Sequence, residues 1–307
     1  MIEIFPLKRS TFEHQFGIAA LTPDQAIFGT NANYLDEIAQ RNRLIGGPHR
    51  DDYFIDIDHE SIDPILKWAI DRSDHLQQTD SLLVNSFTGS TQSVSHDASP
   101  CVRWEWLHKN IQEDLVVLSP RDAFETLGGC VCFPSGWSLL EKQGKPLLDV
   151  HRDVPDFKTA LWNPTEKLFR RLKPGKTVWR SNWGIRPSDA LDQSPRHSKM
   201  LSQSRDAINV QNALDRCYFR VEFQTLTSVP ISDNANLRES ESRVVFTIRT
   251  TQSQLCQLST SQLQTLLGVI ETCPAETLRY KGIEPMADAI KTAIEKRLNQ
   301  PSDAEPL

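Results

Sequence analysis

No stretch of the 307 residues is apolar over the length needed to span a bilayer, so no membrane-crossing helix is expected. No block of Lys and Arg interleaved with aromatics occurs, and the net charge is −6, which argues against a surface built for nucleic acid or anionic lipid. The six cysteines (Cys101, Cys130, Cys132, Cys217, Cys256 and Cys273) include no CxxC pair. That spacing offers nothing to zinc-ribbon, iron–sulfur or thioredoxin chemistry, and six thiols are too sparse for a disulfide framework. Neither GxGxxG nor GxxxxGK[ST] occurs, which leaves dinucleotide and phosphate loops without support. The first dozen residues mix acidic and basic side chains rather than forming a secretory leader, so a cytoplasmic protein with reduced thiols is expected.

Three segments differ in pattern. Residues 1–125 read as a mainly helical N-terminal region packing on the core, with Ile62, Ile65, Leu66 and Ala69 at helical spacing after the candidate caps Asp58 and Ser61. The polar stretch 76–100 reads as a surface loop, and Ser119-Pro120-Arg121-Asp122 can open another helix. Residues 126–299 read as the core: strands at 127–133, 146–150, 177–185, 218–227 and 243–251, then helices at 261–270 and 285–298. Residues 300–307 read as a flexible tail. Helices flanking an antiparallel sheet make the expected fold class α+β.

Among eight histidines, none pairs at the i, i+4 spacing of a helical metal site. His151 is set apart by its place between an apolar segment and the Pro155 turn. A neutral imidazole suits haem iron, because the porphyrin supplies the other four ligands; a lone histidine is also commonly a structural hydrogen-bonding group. In the 218–227 strand, Arg220, Glu222 and Gln224 share one face, either solvated or lining a cavity for carboxylates or a cationic amine. Arg249 has the chemistry to clamp a carboxylate, and Trp179 and Trp183 can form a flat wall or simply core. Cys130 and Cys132 alternate toward one face; a thiolate ligand is conceivable there, but buried cysteine is more often a small hydrophobe.

Several short segments resemble, in order, those of the haem subunit of the haem-dependent oxidative N-demethylases. They are Ile111-Gln112-Glu113-Asp114-Leu115, Cys132-Phe133-Pro134-Ser135-Gly136-Trp137, Glu141-Lys142-Gln143-Gly144, and His151 with Val154-Pro155. Arg180-Ser181-Asn182-Trp183-Gly184-Ile185, Arg220-Val221-Glu222, Phe246-Thr247-Ile248-Arg249-Thr250 and Tyr280-Lys281-Gly282 continue the series. The resemblance implies a PAS-like twisted antiparallel sheet enclosing haem b, with a histidine iron ligand placed at His151; residue chemistry offers Arg249, Trp183 and Asn182 as further cofactor contacts. It implies a monooxygenase that takes a methyl group from a small secondary amine such as dimethylamine, as formaldehyde, with O₂ as oxidant. Electrons would come from NADPH through FMN and an iron–sulfur cluster on a separate reductase. Glu222 and Arg220 are the expected catalytic pair. A haem PAS-type sensor without turnover, or a relic that has lost haem, are the alternatives. Asp153 where the family has Pro, Phe223 where it has a basic residue, Thr251 where it has Tyr, and a longer loop between Pro230 and Arg243 are departures from the pattern.

Overall fold

The computed structural model describes residues 5–13, 17–22, 25–95, 99–121, 123–155, 157–232 and 242–300. The fold is mixed α and β, centred on a seven-stranded antiparallel sheet. Its middle is a pair of long strands, β9 (Tyr218–Pro230) and β10 (Ser242–Gln254), in register from Tyr218 opposite Gln254 to Pro230 opposite Ser242. These run longer than the expected 218–227 and 243–251, because pairing carries on through residues with little strand signal: Ser228 and Pro230 opposite Val244 and Ser242, and Gln252, Ser253 and Gln254 opposite Arg220, Phe219 and Tyr218. The strand β8 (Thr177–Arg186) pairs with β9, and β1 (Ala19–Leu21) closes that edge. On the other side β6 (Asp114–Leu118) pairs with β10, followed by β7 (Thr126–Cys130) and β2 (Phe54–Ile55). The sheet therefore draws strands from both sides of residue 125, and the first 125 residues are not simply helical. Gly129 has a φ of +138°, and a Cβ there would overlap the Leu115 carbonyl, so the close crossing of β7 on β6 requires glycine.

Both faces of the sheet are covered. Behind one half lie α1 (Tyr34–Ile45), α2 (His59–Asp71) and α3 (Pro100–His108), where Ile62, Ile65, Trp104 and Leu107 pack on Leu115, Val117 and Val245. The α2 start is fixed by the Asp58 side chain, which accepts from the Ser61 amide. Behind the other half, α8 (Thr260–Thr272) and α10 (Ala287–Asn299) bury Leu263, Leu266, Ile290 and Ile294 against Ile185, Phe219 and Val221. A capping box between Ser259 and Gln262 starts α8. The front face meets the connection between β7 and β8, through Leu139, Leu147 and Phe169.

Three segments differ from the sequence reading. Residues 146–150 are a helical turn, α4 (Leu147–Val150), rather than a strand: Val150 and His151 donate to Pro146 and Leu147 carbonyls, closing the turn locally. The 76–100 stretch holds a small three-stranded sheet, β3 (Leu76–Gln78), β4 (Leu82–Asn85) and β5 (Thr91–Ser93). Half of its strand positions are exposed and their sequence is largely polar, which hides them; Leu76 and Leu83 reach the apolar core, and Asn85 is buried beside them. No helix opens at Ser119-Pro120-Arg121 among the described residues. Asp122, residues 233–241 of the long loop and 301–307 of the expected tail lie outside them. No helix among the described residues is long and apolar enough to cross a membrane.

Candidate functional site

Alternation along four adjacent strands brings one set of side chains onto the front face. Arg180 and Asn182 on β8 stand opposite Gln224 and Glu222 on β9, and Gln224 stands opposite Ile248 on β10. Val116 on β6 and Phe246 on β10 extend the row with apolar groups. Between this face and the β7–β8 connection lies a cavity of about 670 Å³, within the roughly 300–1,000 Å³ of cofactor and ligand pockets. Its β6–β10 end is apolar and its β8–β9 end is charged.

His151 stands on the cavity wall supplied by the β7–β8 connection, just after α4. Its Nδ1 lies 2.9 Å from the Leu147 carbonyl, which can only accept, so Nδ1 carries the proton and Nε2 keeps its lone pair. The ring stacks on Phe157 with centroids 4.5 Å apart and planes 11° from parallel. Burial holds the imidazole below its ordinary pKa, reinforced by Arg180 and Lys142 against the Leu147 hydrogen bond. The result is a neutral, rotationally fixed imidazole of the tautomer that binds metal through Nε2. The sequence reading placed this residue at a strand end; the helical turn does the same service, since the carbonyl four residues back is its own ring anchor.

Glu222 accepts from Ser135 Oγ at 2.8 Å, Gln224 Nε2 at 2.8 Å and Asn182 Nδ2 at 3.2 Å. Burial would push its carboxyl up, but Arg220, these hydrogen bonds and Arg186 outweigh it and hold the carboxyl below its ordinary value. Arg220 is itself committed to structure: its Nη2 donates to the carbonyls of Phe133 at 2.6 Å and Leu191 at 3.0 Å. Burial lowers its pKa to about 10.

Two of the other cations at the charged end, neither singled out by the sequence reading, are Arg180 and Lys281. Arg180 lines the cavity with a buried Nε that has no hydrogen-bond partner, and desolvation lowers its pKa. Lys281 donates to the Trp183 carbonyl at 2.7 Å and lies 4.7 Å over the Trp183 ring. Burial, opposed by Glu222 and aided by Arg186, lowers its pKa to about 8. The cost of burying that charge is fully present below pH 8 and is relieved as pH rises toward the ordinary lysine value. Lys281→Met is therefore expected to gain stability over the natural protein most below pH 8, the gap narrowing from pH 8 to 10, measurable by urea unfolding. Both residues occupy the segments Arg180-Ser181-Asn182 and Tyr280-Lys281-Gly282 that carried the resemblance.

Not every expected contact reaches the cavity. Arg249 stands opposite Phe223 and so faces the back of the sheet. There it pairs with Glu113 at 2.7 Å and Gln112 at 2.7 Å, which corrects the expectation that it clamps a cofactor carboxylate. Strand parity alone decides this, because Arg249 is one residue out of step with Ile248. Trp183 also belongs to the back face, stacked on Phe219 at 5.8 Å, and contributes to the cavity only at the wall beneath Lys281. Cys130 and Cys132 are buried in the rear core beside Arg41, away from the cavity. Of the departures, Phe223 packs on Trp179 and Thr251 pairs with Val221, both off the cavity, whereas Asp153 stands exposed at its rim. Among the described residues, no group of three or more His, Cys, Asp or Glu is placed to hold a metal ion.

No curated protein matches the chain. The family model described as haem-dependent oxidative N-demethylase, alpha subunit-like, matches residues 17–291, which take in the cavity lining except Phe12 and Glu13. The chain belongs to the haem-dependent oxidative N-demethylase alpha subunit-like family.

Proposed function

We propose that this chain is the haem-carrying subunit of an oxidative N-demethylase, holding haem b in the front-face cavity of a PAS-like sheet. The observation that carries the reading is His151: a neutral imidazole, tied back through Nδ1, with Nε2 unpartnered on the wall of a cavity of cofactor size. The rest of the lining fits the group. The apolar β6–β10 end suits a porphyrin face, and Arg180, whose buried Nε has no hydrogen-bond partner, suits a propionate. Haem, when bound, supplies the O₂ chemistry that oxidises an N-methyl C–H bond, releasing formaldehyde.

The protein's own groups do the remaining work. His151 provides the iron ligand. Glu222, kept ionised by its surroundings, faces the ammonium of a small secondary amine such as dimethylamine. Asn182 fixes one Glu222 oxygen and Ser135 the other, while Arg220 braces Glu222 by charge without leaving its own carbonyl partners. Electrons come from a separate NADPH reductase carrying FMN and an iron–sulfur cluster. All six cysteines are free, which fits a reducing, cytoplasmic setting.

Haem titration of the purified chain, followed by formaldehyde assay with a surrogate reductase and methylamines, tests the reading. A Soret band and formaldehyde from a methylamine are expected. A Soret band with no turnover would favour a sensor, and no band would end the haem reading. Arg180→Gln is expected to weaken haem uptake by roughly tenfold through loss of one charge-assisted pair, with the iron ligand's spectrum unchanged.

A further inference from the structure

The charged end of the cavity is bipolar on a small scale. Arg186, at the end of β8, and Arg205, in the last turn of α6 (Ser198–Asp206), face one another across Gly282. A Cβ on Gly282 would lie 3.6 Å from Arg186 Nη1 and 3.9 Å from Arg205 Nη2. Both side chains line the cavity, and the Nε of each is buried without a hydrogen-bond partner. Arg186 makes only two long bonds, to the carbonyls of Lys281 at 3.3 Å and Ser135 at 3.4 Å. Two guanidinium groups held this close repel unless an anion lies between them.

Ser135 connects this pair to the carboxylate. Its carbonyl accepts from Arg186 while its hydroxyl donates to Glu222 at 2.8 Å. Glu222 has four lone-pair positions and three hydrogen bonds within the protein, which leaves one position for a donor. A paired cationic site and an anionic site thus sit one residue apart. Across the whole lining, Glu222 is the one carboxylate among the described residues that is not exposed, against Lys142, Arg180, Arg186, Arg205, Arg220 and Lys281. A simple ammonium ion would add positive charge to this surplus.

A porphyrin's two propionates leave one edge of the ring. Arg180 and Arg186 are six residues apart on one strand, about 20 Å along it, so propionates directed to Arg180 leave the Arg186–Arg205 pair for another carboxylate. We propose that the amine oxidised here is an N-methylated amino acid, its carboxylate clamped by Arg186 and Arg205 and its ammonium facing Glu222. The assignment rests on the demethylase reading and narrows its substrate class from plain amines to zwitterions.

Calorimetry on the haem-loaded chain with matched secondary amines tests it. N-methylglycine is dimethylamine with a carboxylate added to one methyl group, and N-methylglycinamide is the same molecule without the negative charge. N-methylglycine is expected to bind at least about tenfold more tightly than dimethylammonium, N-methylglycinamide or acetate, as expected for one extra charge-assisted pair. Arg205→Gln, on the last turn of a partly exposed helix, is expected to erase that preference with haem titration unchanged. Equal affinity for dimethylammonium, or acetate binding as tightly as N-methylglycine, overturns the proposal. So does an Arg205→Gln variant that loses haem affinity but keeps the amine preference, since the clamp then holds a propionate. Failure of the natural chain to take up haem overturns the underlying reading separately, and calorimetry on the same protein still reports the zwitterion preference.

Discussion

His151→Ala is expected to lower haem affinity by at least about 100-fold, since even partners outside the first coordination shell of a metal cost 10–100-fold when removed. The measurement is haem titration followed at the Soret band, in the presence and absence of added imidazole. Free imidazole should restore much of the natural spectrum, because deletion of the side chain leaves a ring-shaped space against Phe157. Removing the ring anchor has no side-chain equivalent, for the Leu147 carbonyl belongs to the backbone; this makes the tautomer resistant to single substitutions. The pH dependence carries the same signature. Protonation of Nε2 competes with iron, and burial keeps the His151 pKa below the ordinary imidazole value. Haem should therefore stay bound through pH 6.5 and be released only at more acidic pH. An unchanged Soret band in His151→Ala would move the ligand elsewhere in the chain.

The strands that build the cavity were legible in the sequence because alternation in 177–185, 218–227 and 243–251 survives burial on both faces. The same alternation identified Arg220, Glu222 and Gln224 as one row, and the structure sets that row in the cavity. Which neighbour each strand takes was not legible, and that gap explains the errors. Whether Arg249 shares a face with Glu222 depends on the register of β10 against β9, a long-range pairing that no local pattern encodes. Arg180 alternates with Trp179, and its place in the cavity emerges only when the β7–β8 connection is folded over it. The helical turn before His151 was hidden because Leu-Leu-Asp-Val is too short to show a helical period. Arg186 and Arg205 are distant in sequence, and only the Gly282 turn brings them together.

The largest stability effect is expected at Arg41, remote from the cavity but connected to it through the backbone. Its guanidinium pairs with Asp114 at 2.7 Å, with side-chain exposures of 0% and 1%, and donates to the Glu113 carbonyl at 3.0 Å. Asp114 in turn accepts the amides of Cys132 at 2.7 Å and Phe133 at 3.0 Å. That pins the chain leaving β7, which continues through Pro134 to Ser135, the shared partner of Glu222 and Arg186. Arg41→Met keeps the apolar bulk and leaves Asp114 buried without its counter-charge, which costs about 3–5 kcal/mol in such settings. Urea unfolding at neutral pH should show a loss of that order. Burial already raises the Asp114 pKa in the natural protein, against the pull of Arg41 and the Cys132 and Phe133 amides, and without the counter-charge it rises further. The folded state then takes up a proton before the unfolded chain does, so the deficit should shrink as pH falls from that raised pKa to the ordinary carboxylate value and stay constant below it. The double variant Arg41→Met with Asp114→Leu should recover part of the loss, because an uncharged pair owes no desolvation, although the Cys132 and Phe133 amides then lose their acceptor. Recovery of stability without recovery of amine binding would separate the two roles of Asp114: neutralising Arg41, and holding the backbone that presents Ser135 to Glu222.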